Sequence, residues 1–413
     1  MKYTTFQLEV TPPVGTPMAY SVCQGVDFPI FIRGVLLDDG INRAALVACD
    51  YIYIWGQAWL DWRRHIAAAA HMEEERVLLH CLHQHDSMRI TASSDIQEAV
   101  GFLASDMGYA EGTIARLETT VREAAAAEWR VAAKLMVAER RMSGLAANRR
   151  IIEKGRCVAT RFSMCDDPLL RARPVGKIDP LLRTIALADR NGKPLVALHF
   201  YATHPMTAYH RGLVSADMPG AALAYAENAL NDEIFHMYLT GCSGDVTLGK
   251  YFLGDKEESL RVLGRRMGEG LVSNIQRLEE RPLGAISFAC AKFLFPFDWK
   301  ENDTGLLREA RRLLAQEREK WENASLYRLS LGEGVHILSF PSEAVVEYQI
   351  HAQSLAPEAL VACASHGNST YFYLPTATMF EEGGYEPTAS LATPQIEERL
   401  KKALAELLHD PPN

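Results

Sequence analysis

Four segments of this chain carry side chains able to bind metals or move protons, and each follows an apolar run. The first is Leu79-His80-Cys81-Leu82-His83-Gln84-His85-Asp86-Ser87. In an extended backbone, residues two apart project to the same side, which would aim His83 and His85 into one cavity beyond a strand end. Imidazole suits zinc and similar divalent ions, and Asp86 is placed to orient a ring from behind. The same spacing also fits a pair of hydrogen-bonded surface histidines. The second segment is His199-Phe200-Tyr201-Ala202-Thr203-His204-Pro205. His204 falls where strand becomes loop, where scaffolds commonly present site residues. His199 has apolar neighbours and reads as a core histidine.

The third segment, Leu338-Ser339-Phe340-Pro341-Ser342-Glu343, runs from strand to helix, with Ser342 as N-cap and Glu343 in the first turn. An acid there can serve a site, or simply complement the helix dipole. The fourth runs from His366-Gly367-Asn368 through Tyr371-Phe372-Tyr373 to Thr376. Its aromatic residues at alternate positions suit packing as well as binding. Gly241-Cys242-Ser243-Gly244-Asp245 is a tight turn that lets backbone approach a ligand closely. It lacks the Lys-Ser/Thr ending of a phosphate loop and the spacing of a nucleophile elbow.

Elements must hold these segments. Apolar runs at Arg43–Cys49, Val77–Cys81, 195–200, 235–239, 285–295, 334–340 and Leu360–Ala364 predict strands. Helical spacing predicts helices over 55–72, 109–133, 218–230, 257–278, 304–323, 342–354 and 394–409, with an N-cap at Asp303-Thr304. Alternating strands and helices predict an α/β fold, a layered mixed β-sheet core flanked by helices. No sequence repeat or linker appears. The stretch 142–179 reads as a long functional loop or a weak boundary between lobes, and residues 1–413 are expected to form one domain.

The chain has 413 residues, 48% hydrophobic and 23% charged, with a formal net charge of -9. These values allow a large core. The acidic balance argues against nucleic acid and against docking on an anionic membrane. No apolar stretch approaches the ~20 residues of a transmembrane helix, and the N-terminus shows no secretory signal. The 8 cysteines are scattered without a CxxC pair, which reads as buried thiols in a reducing compartment. A cytoplasmic enzyme, with homo-oligomers possible, is the expectation.

In order, the motifs resemble the catalytic domain of the neutral/alkaline non-lysosomal ceramidases. The resemblance begins at Val10-Thr11-Pro12-Pro13-Val14-Gly15, Ile32-Arg33-Gly34-Val35 and Ala48-Cys49-Asp50. It continues through the His83/His85 cluster, Asn148-Arg149, Ala202-Thr203-His204, Ser215-Ala216-Asp217-Met218-Pro219-Gly220 and Gly244-Asp245-Val246. Pro341-Ser342-Glu343 and Gly383-Gly384-Tyr385-Glu386 complete it, so it spans nearly the whole chain. The resemblance implies a Zn2+ held by His83, His204, Glu343 and Tyr373. It puts His85 in proton transfer or oxyanion stabilisation, and places Arg149 facing the site, with Arg149 or Tyr373 on the oxyanion. It implies a zinc-dependent hydrolase cleaving an N-acyl amide bond through a metal-activated water.

Some features depart from that pattern. Asp86-Ser87-Met88 replaces a serine and a glycine-rich turn, and Thr240-Gly241-Cys242-Ser243 replaces a polar stretch. A C-terminal immunoglobulin-like domain and a secretion signal are not seen in this sequence. These departures favour a small soluble acyl-amide substrate over ceramide. An esterase or lactonase, and a non-catalytic binding protein keeping the fold, are the alternative readings. Asp50, Asp217 and Asp245 are further candidates for a second metal.

Overall fold

The computed structural model describes residues 1–92, 106–230, 233–299 and 307–409. Three β-sheets organise it, and their topologies share a plan. In the first, Phe31–Asp38 and Arg43–Cys49 form an antiparallel pair; helix Gln57–Ala69 then crosses to Val77–Cys81, which lies parallel to Arg43–Cys49 at the sheet edge. In the second, the antiparallel pair is Leu181–Ala188 with Pro194–Tyr201; helix Asp217–Leu230 leads to the parallel edge strand Phe235–Thr240. In the third, Asn323–Ser330 pairs with Val335–Ser339, and helix Val346–Leu355 leads to the parallel edge strand Leu360–Ala364. The sequence shows no repeat, yet the topology repeats three times. The mixed α/β architecture is the one expected.

Each of these edge strands would be a liability if exposed, because its free N–H and C=O groups invite pairing. Here the three edges cover one another. Val77–Cys81 and Leu360–Ala364 are buried along their whole length, as runs buried on both faces should be. A ring of hydrogen bonds joins the three ends. Cys81 donates its N–H to the His366 carbonyl at 3.0 Å, Ser365 donates to the Thr240 carbonyl at 2.8 Å, and Thr240 Oγ1 donates to the Leu82 carbonyl at 2.8 Å. The C-terminal ends of three strands are therefore tied to one point; the His83 and His366 segments leave from it, and those of His204 and Glu343 leave from the strands next to two of these edges.

One apolar cluster fills the space around the first two sheets, with Leu46, Leu79, Leu117, Leu198 and Leu239 among its members. A second packs the third sheet against helix Ile396–His409 through Leu400, Leu404 and Leu407. Five cysteines are buried and all eight are unpaired, as free thiols should be.

Several expected boundaries move. The long helix covers Met107–Ala126 and stops short of Ala133, because Arg130–Val131 is captured as a strand beside Lys2–Tyr3. In the region expected as helix 304–323, two helices, Arg308–Gln316 and Arg318–Trp321, are seen, and the proposed cap Asp303-Thr304 lies outside the described residues. The stretch 142–179 is not structureless: it holds the hairpin Arg150–Glu153 with Arg156–Thr160 and a short helix Pro168–Ala172. The third segment is corrected most. Ser342 has φ 56 and does not cap a helix. Glu343 lies on the two-residue strand Glu343–Ala344, paired with Tyr373–Leu374, and the helix begins only at Val346.

Candidate metal centre

The first histidine pair sits beyond a strand that ends at Cys81, and His83 has φ 72. Simple alternation along an extended strand is thus not what aligns the pair. The left-handed turn at His83, uncommon for a residue with a Cβ, brings the two rings edge to face with centroids 4.9 Å apart. Gln84 fixes the turn from between them. Its side-chain amide donates to Asp50 Oδ1 at 3.1 Å and to the Ala216 carbonyl at 3.4 Å. Asp50 in turn accepts from the Phe31 N–H at 2.8 Å and pairs with Arg33 at 3.4 Å. The early strands therefore serve the site by gripping Gln84.

His83 donates Nδ1–H to the Ile52 carbonyl at 2.8 Å, and His204 donates Nδ1–H to the Ser243 carbonyl at 2.6 Å. A carbonyl can only accept, so each bond sets the tautomer and leaves Nε2 with a free lone pair. Both Nε2 atoms converge on one carboxylate oxygen. Glu343 Oε2 lies 3.5 Å from His83 Nε2 and 3.3 Å from His204 Nε2. His83, His85 and His204 offer ligand atoms all within 4.8 Å of one another, so this group could hold a metal ion. His204 Nε2, Glu343 Oε2 and both His85 nitrogens are buried without a hydrogen-bond partner. Buried polar atoms are rarely left so, and a cation on the two Nε2 lone pairs and the carboxylate would satisfy His204 and Glu343. The nitrogen and oxygen donor set suits zinc.

The remaining expected residues lie around this group. Tyr373 is the Cα partner of Glu343 across the short strand pair. Burial raises its hydroxyl pKa well above the ordinary value, against the pull of Arg149. Arg149 is buried, with its guanidinium carbon 5.2 Å from the Tyr373 ring centroid and Nε 2.7 Å from Glu386 Oε1. Glu386, fully buried, also takes Arg150 Nη1 at 2.5 Å. It acts as a clamp on two arginines. His85 stacks on Tyr20, with centroids 5.3 Å apart and planes 8° apart, and meets Tyr209 at 5.7 Å. Burial first, then the neighbouring His83 and His204, push its pKa well below 6.5.

Asp86 does not orient a histidine. It accepts from the His210 N–H at 2.9 Å and pairs with Arg211 at 3.2 Å, which fixes the 209–211 loop that carries Tyr209. The three aspartates considered for a second metal have structural employment. Asp50 holds Gln84, as described. Asp217 accepts from the Thr207 N–H at 3.0 Å and shapes the loop after His204. Asp245 receives Asn148 Nδ2 at 2.5 Å and the Val346 N–H at 2.9 Å, while its carbonyl receives the Arg149 N–H at 2.8 Å. His199 is a core residue, bonded to Thr184 Oγ1 at 2.9 Å and to His236 at 3.0 Å.

Sequence reasoning named His366 at the head of the fourth segment but gave it no role. It is fully buried, and its ring stacks on His83 with centroids 4.2 Å apart and planes 10° apart. Its place directly after the strand Leu360–Ala364 is the same signal that marks His83, and could have found it. Nothing in the sequence signals Tyr20.

No family model matches the chain, and no curated protein does. Solved structures do match. A ceramidase complexed with C2 and a neutral ceramidase from Pseudomonas aeruginosa each align with a TM-score of 0.76 over 98% of this chain and 74% of theirs, at 13% identity. The fold is that of neutral ceramidases.

Proposed function

We propose that the chain is a zinc-dependent hydrolase cleaving an N-acyl amide bond, with His83, His204, Glu343 and Tyr373 as the metal ligands. One observation carries the reading: two imidazole lone pairs, each set by a bond from the opposite ring nitrogen, converge on one buried, partnerless carboxylate oxygen. The fold likeness to ceramidases supports amide hydrolysis. Zinc bound there would polarise the acyl carbonyl and lower the pKa of water to about 7.

The chain's own groups do the rest. His85 is neutral near pH 7 and has two unpartnered ring nitrogens. It takes the proton released as water adds and delivers it to the departing amine, a role worth about 10²–10⁴-fold. Arg149, held by Glu386, keeps its charge and stabilises the carbonyl oxygen as it becomes negative. The Tyr373 hydroxyl, a ligand in this reading, is the second group assigned to that stabilisation. The loop fixed by Asp86 sets the Tyr209 ring beside His85, and in this reading the substrate is a small soluble one and not ceramide. Residues 1–413 act as one domain in this reading, and the eight unpaired thiols suit the cytoplasm.

Metal analysis of the purified protein and of His83→Ala and His204→Ala variants tests the site. The parent is expected to carry about one zinc and each variant much less; full occupancy in both variants sinks the assignment. A panel of short-chain N-acyl amides, ceramide and matched esters then reads the bond. Turnover of ceramide or esters with no short amide cleaved would refute the substrate reading.

A further inference from the structure

His366 is a buried group beside the site that this mechanism leaves unused. Its ring is fully buried, and neither nitrogen has a hydrogen-bond partner. Leaving such groups unsatisfied is costly, so an apolar residue would be the more stable choice for packing alone. The backbone holds it in place regardless. His366 sits at φ 62, donates its N–H to the Ser342 carbonyl at 2.9 Å, and accepts from the Cys81 N–H at 3.0 Å. It therefore belongs both to the ring that joins the sheet edges and to the turn before Glu343.

Its geometry decides what it can do. The His366 and His83 rings are parallel within 10° and 4.2 Å apart. Lone pairs lie in the ring plane, so parallel stacked imidazoles point their nitrogens along parallel planes and do not converge on one ion. What His366 offers His83 is a face. An imidazole that gives its lone pair to a cation becomes electron-poor, and an aromatic face beside it is attracted as one is to a cation. The stack also fixes the plane of the His83 ring, which the bond from Nδ1 to Ile52 alone leaves free to tilt.

We propose that His366 is a positioning residue of the metal centre, a stacked ring that holds the His83 imidazole in its ligating plane and raises the affinity for the ion. The proposal rests on the metal reading above, and its test separates the two. His366→Phe keeps a flat ring and discards both nitrogens; His366→Ala discards the ring. Cobalt(II) and zinc affinities are measured by chelator competition, the cobalt(II) visible spectrum reports the ligand field, and melting of the metal-free forms checks folding. The expectation is that the Phe variant binds within about threefold of the parent with the parent's spectrum. The Ala variant, still folded, should bind about 10–100-fold more weakly with a broadened spectrum, the range usual for groups that orient a metal's ligands. Unchanged affinity and spectrum in the Ala variant overturn the proposal. Equal weakening in both variants also overturns it, because the nitrogens and not the ring face would then matter. Failure of the parent to bind either ion refutes the metal reading instead.

Discussion

Among single residues, Glu386 is where position and chemistry meet most directly. Its two carboxylate oxygens take Arg149 and Arg150 separately, at 2.7 and 2.5 Å, with all three side chains almost wholly buried. Removing one partner of such a group leaves uncompensated charge in a medium that solvates it poorly. Glu386→Ala should therefore cost about 3–5 kcal/mol in urea unfolding, and Glu386→Gln, which keeps one acceptor, less. The kinetic consequence differs from that of losing a ligand. Arg149 would still be present but free to tilt away from Tyr373, so the Gln variant should keep its metal while kcat falls and KM changes little. If metal content falls with kcat, Glu386 supports the ligands and not the arginine. The motif Gly383-Gly384-Tyr385-Glu386 was visible in the sequence only as a resemblance; that its acid clamps Arg149 depends on a contact across most of the chain, which no spacing rule reveals.

Elements bring these residues together, and a glycine makes one close approach at the site. A Cβ on Gly244 would lie 2.7 Å from the Glu343 carbonyl oxygen and 3.2 Å from that of Ala344. Both are backbone atoms of the short strand that carries the candidate ligand, so nothing flexible can yield. Gly244→Ala should push Glu343 out of line, lower zinc affinity on the order of tenfold, and cost about 1–3 kcal/mol through overpacking. Gly112→Ala is the control. It lies in helix Met107–Ala126 where a Cβ meets nothing, and should stabilise by roughly 0.5–1 kcal/mol without touching metal binding. Equal zinc affinity in parent and Gly244→Ala would show that the strand is not held by this contact. The same elements explain what could be read in advance. Arg43–Cys49 and Leu360–Ala364 were legible to the residue, because strands buried on both faces are unbroken apolar runs. The end of the helix before Arg130 was not, because pairing with Lys2–Tyr3 overrides a sequence of good helix formers. His83, His204 and Glu343 were each visible as polar residues beyond strands. Their meeting depends on bonds among three sheet edges, made by backbone groups that every residue possesses and by the one hydroxyl of Thr240, and so leaves little mark on residue type.

At the scale of the whole molecule, the buried histidines couple stability to pH. His80 is 1% exposed, neither ring nitrogen has a partner, and burial pushes its pKa down to about 3. His336, half-buried beside Arg328, is pushed by burial to about 4. In the unfolded chain both titrate near 6.5. Between those values the unfolded chain binds protons that the folded chain refuses, so stability is fully present above about pH 6.5 and is lost as pH falls toward 4 and then 3, by up to about 1.4 kcal/mol per pH unit for each group. General charge repulsion has the opposite sign at the start of this window, because a net charge of -9 shrinks as acid is added. Asp245, Asp217 and Asp86, whose carboxyls burial raises to about 7, 6 and 6, oppose the loss as well, so the histidine share is read from a variant and not from the parent's profile alone. Replacing His80 with leucine removes one titrating group and two unsatisfied ring atoms together. His80→Leu should match or exceed the parent at pH 7 and show a shallower decline between pH 6.5 and 4. Urea midpoints on chelator-treated protein keep metal release out of the comparison. Parallel declines for parent and variant would mean that His80 is already solvated or protonated in the folded state, and that the acid sensitivity resides elsewhere.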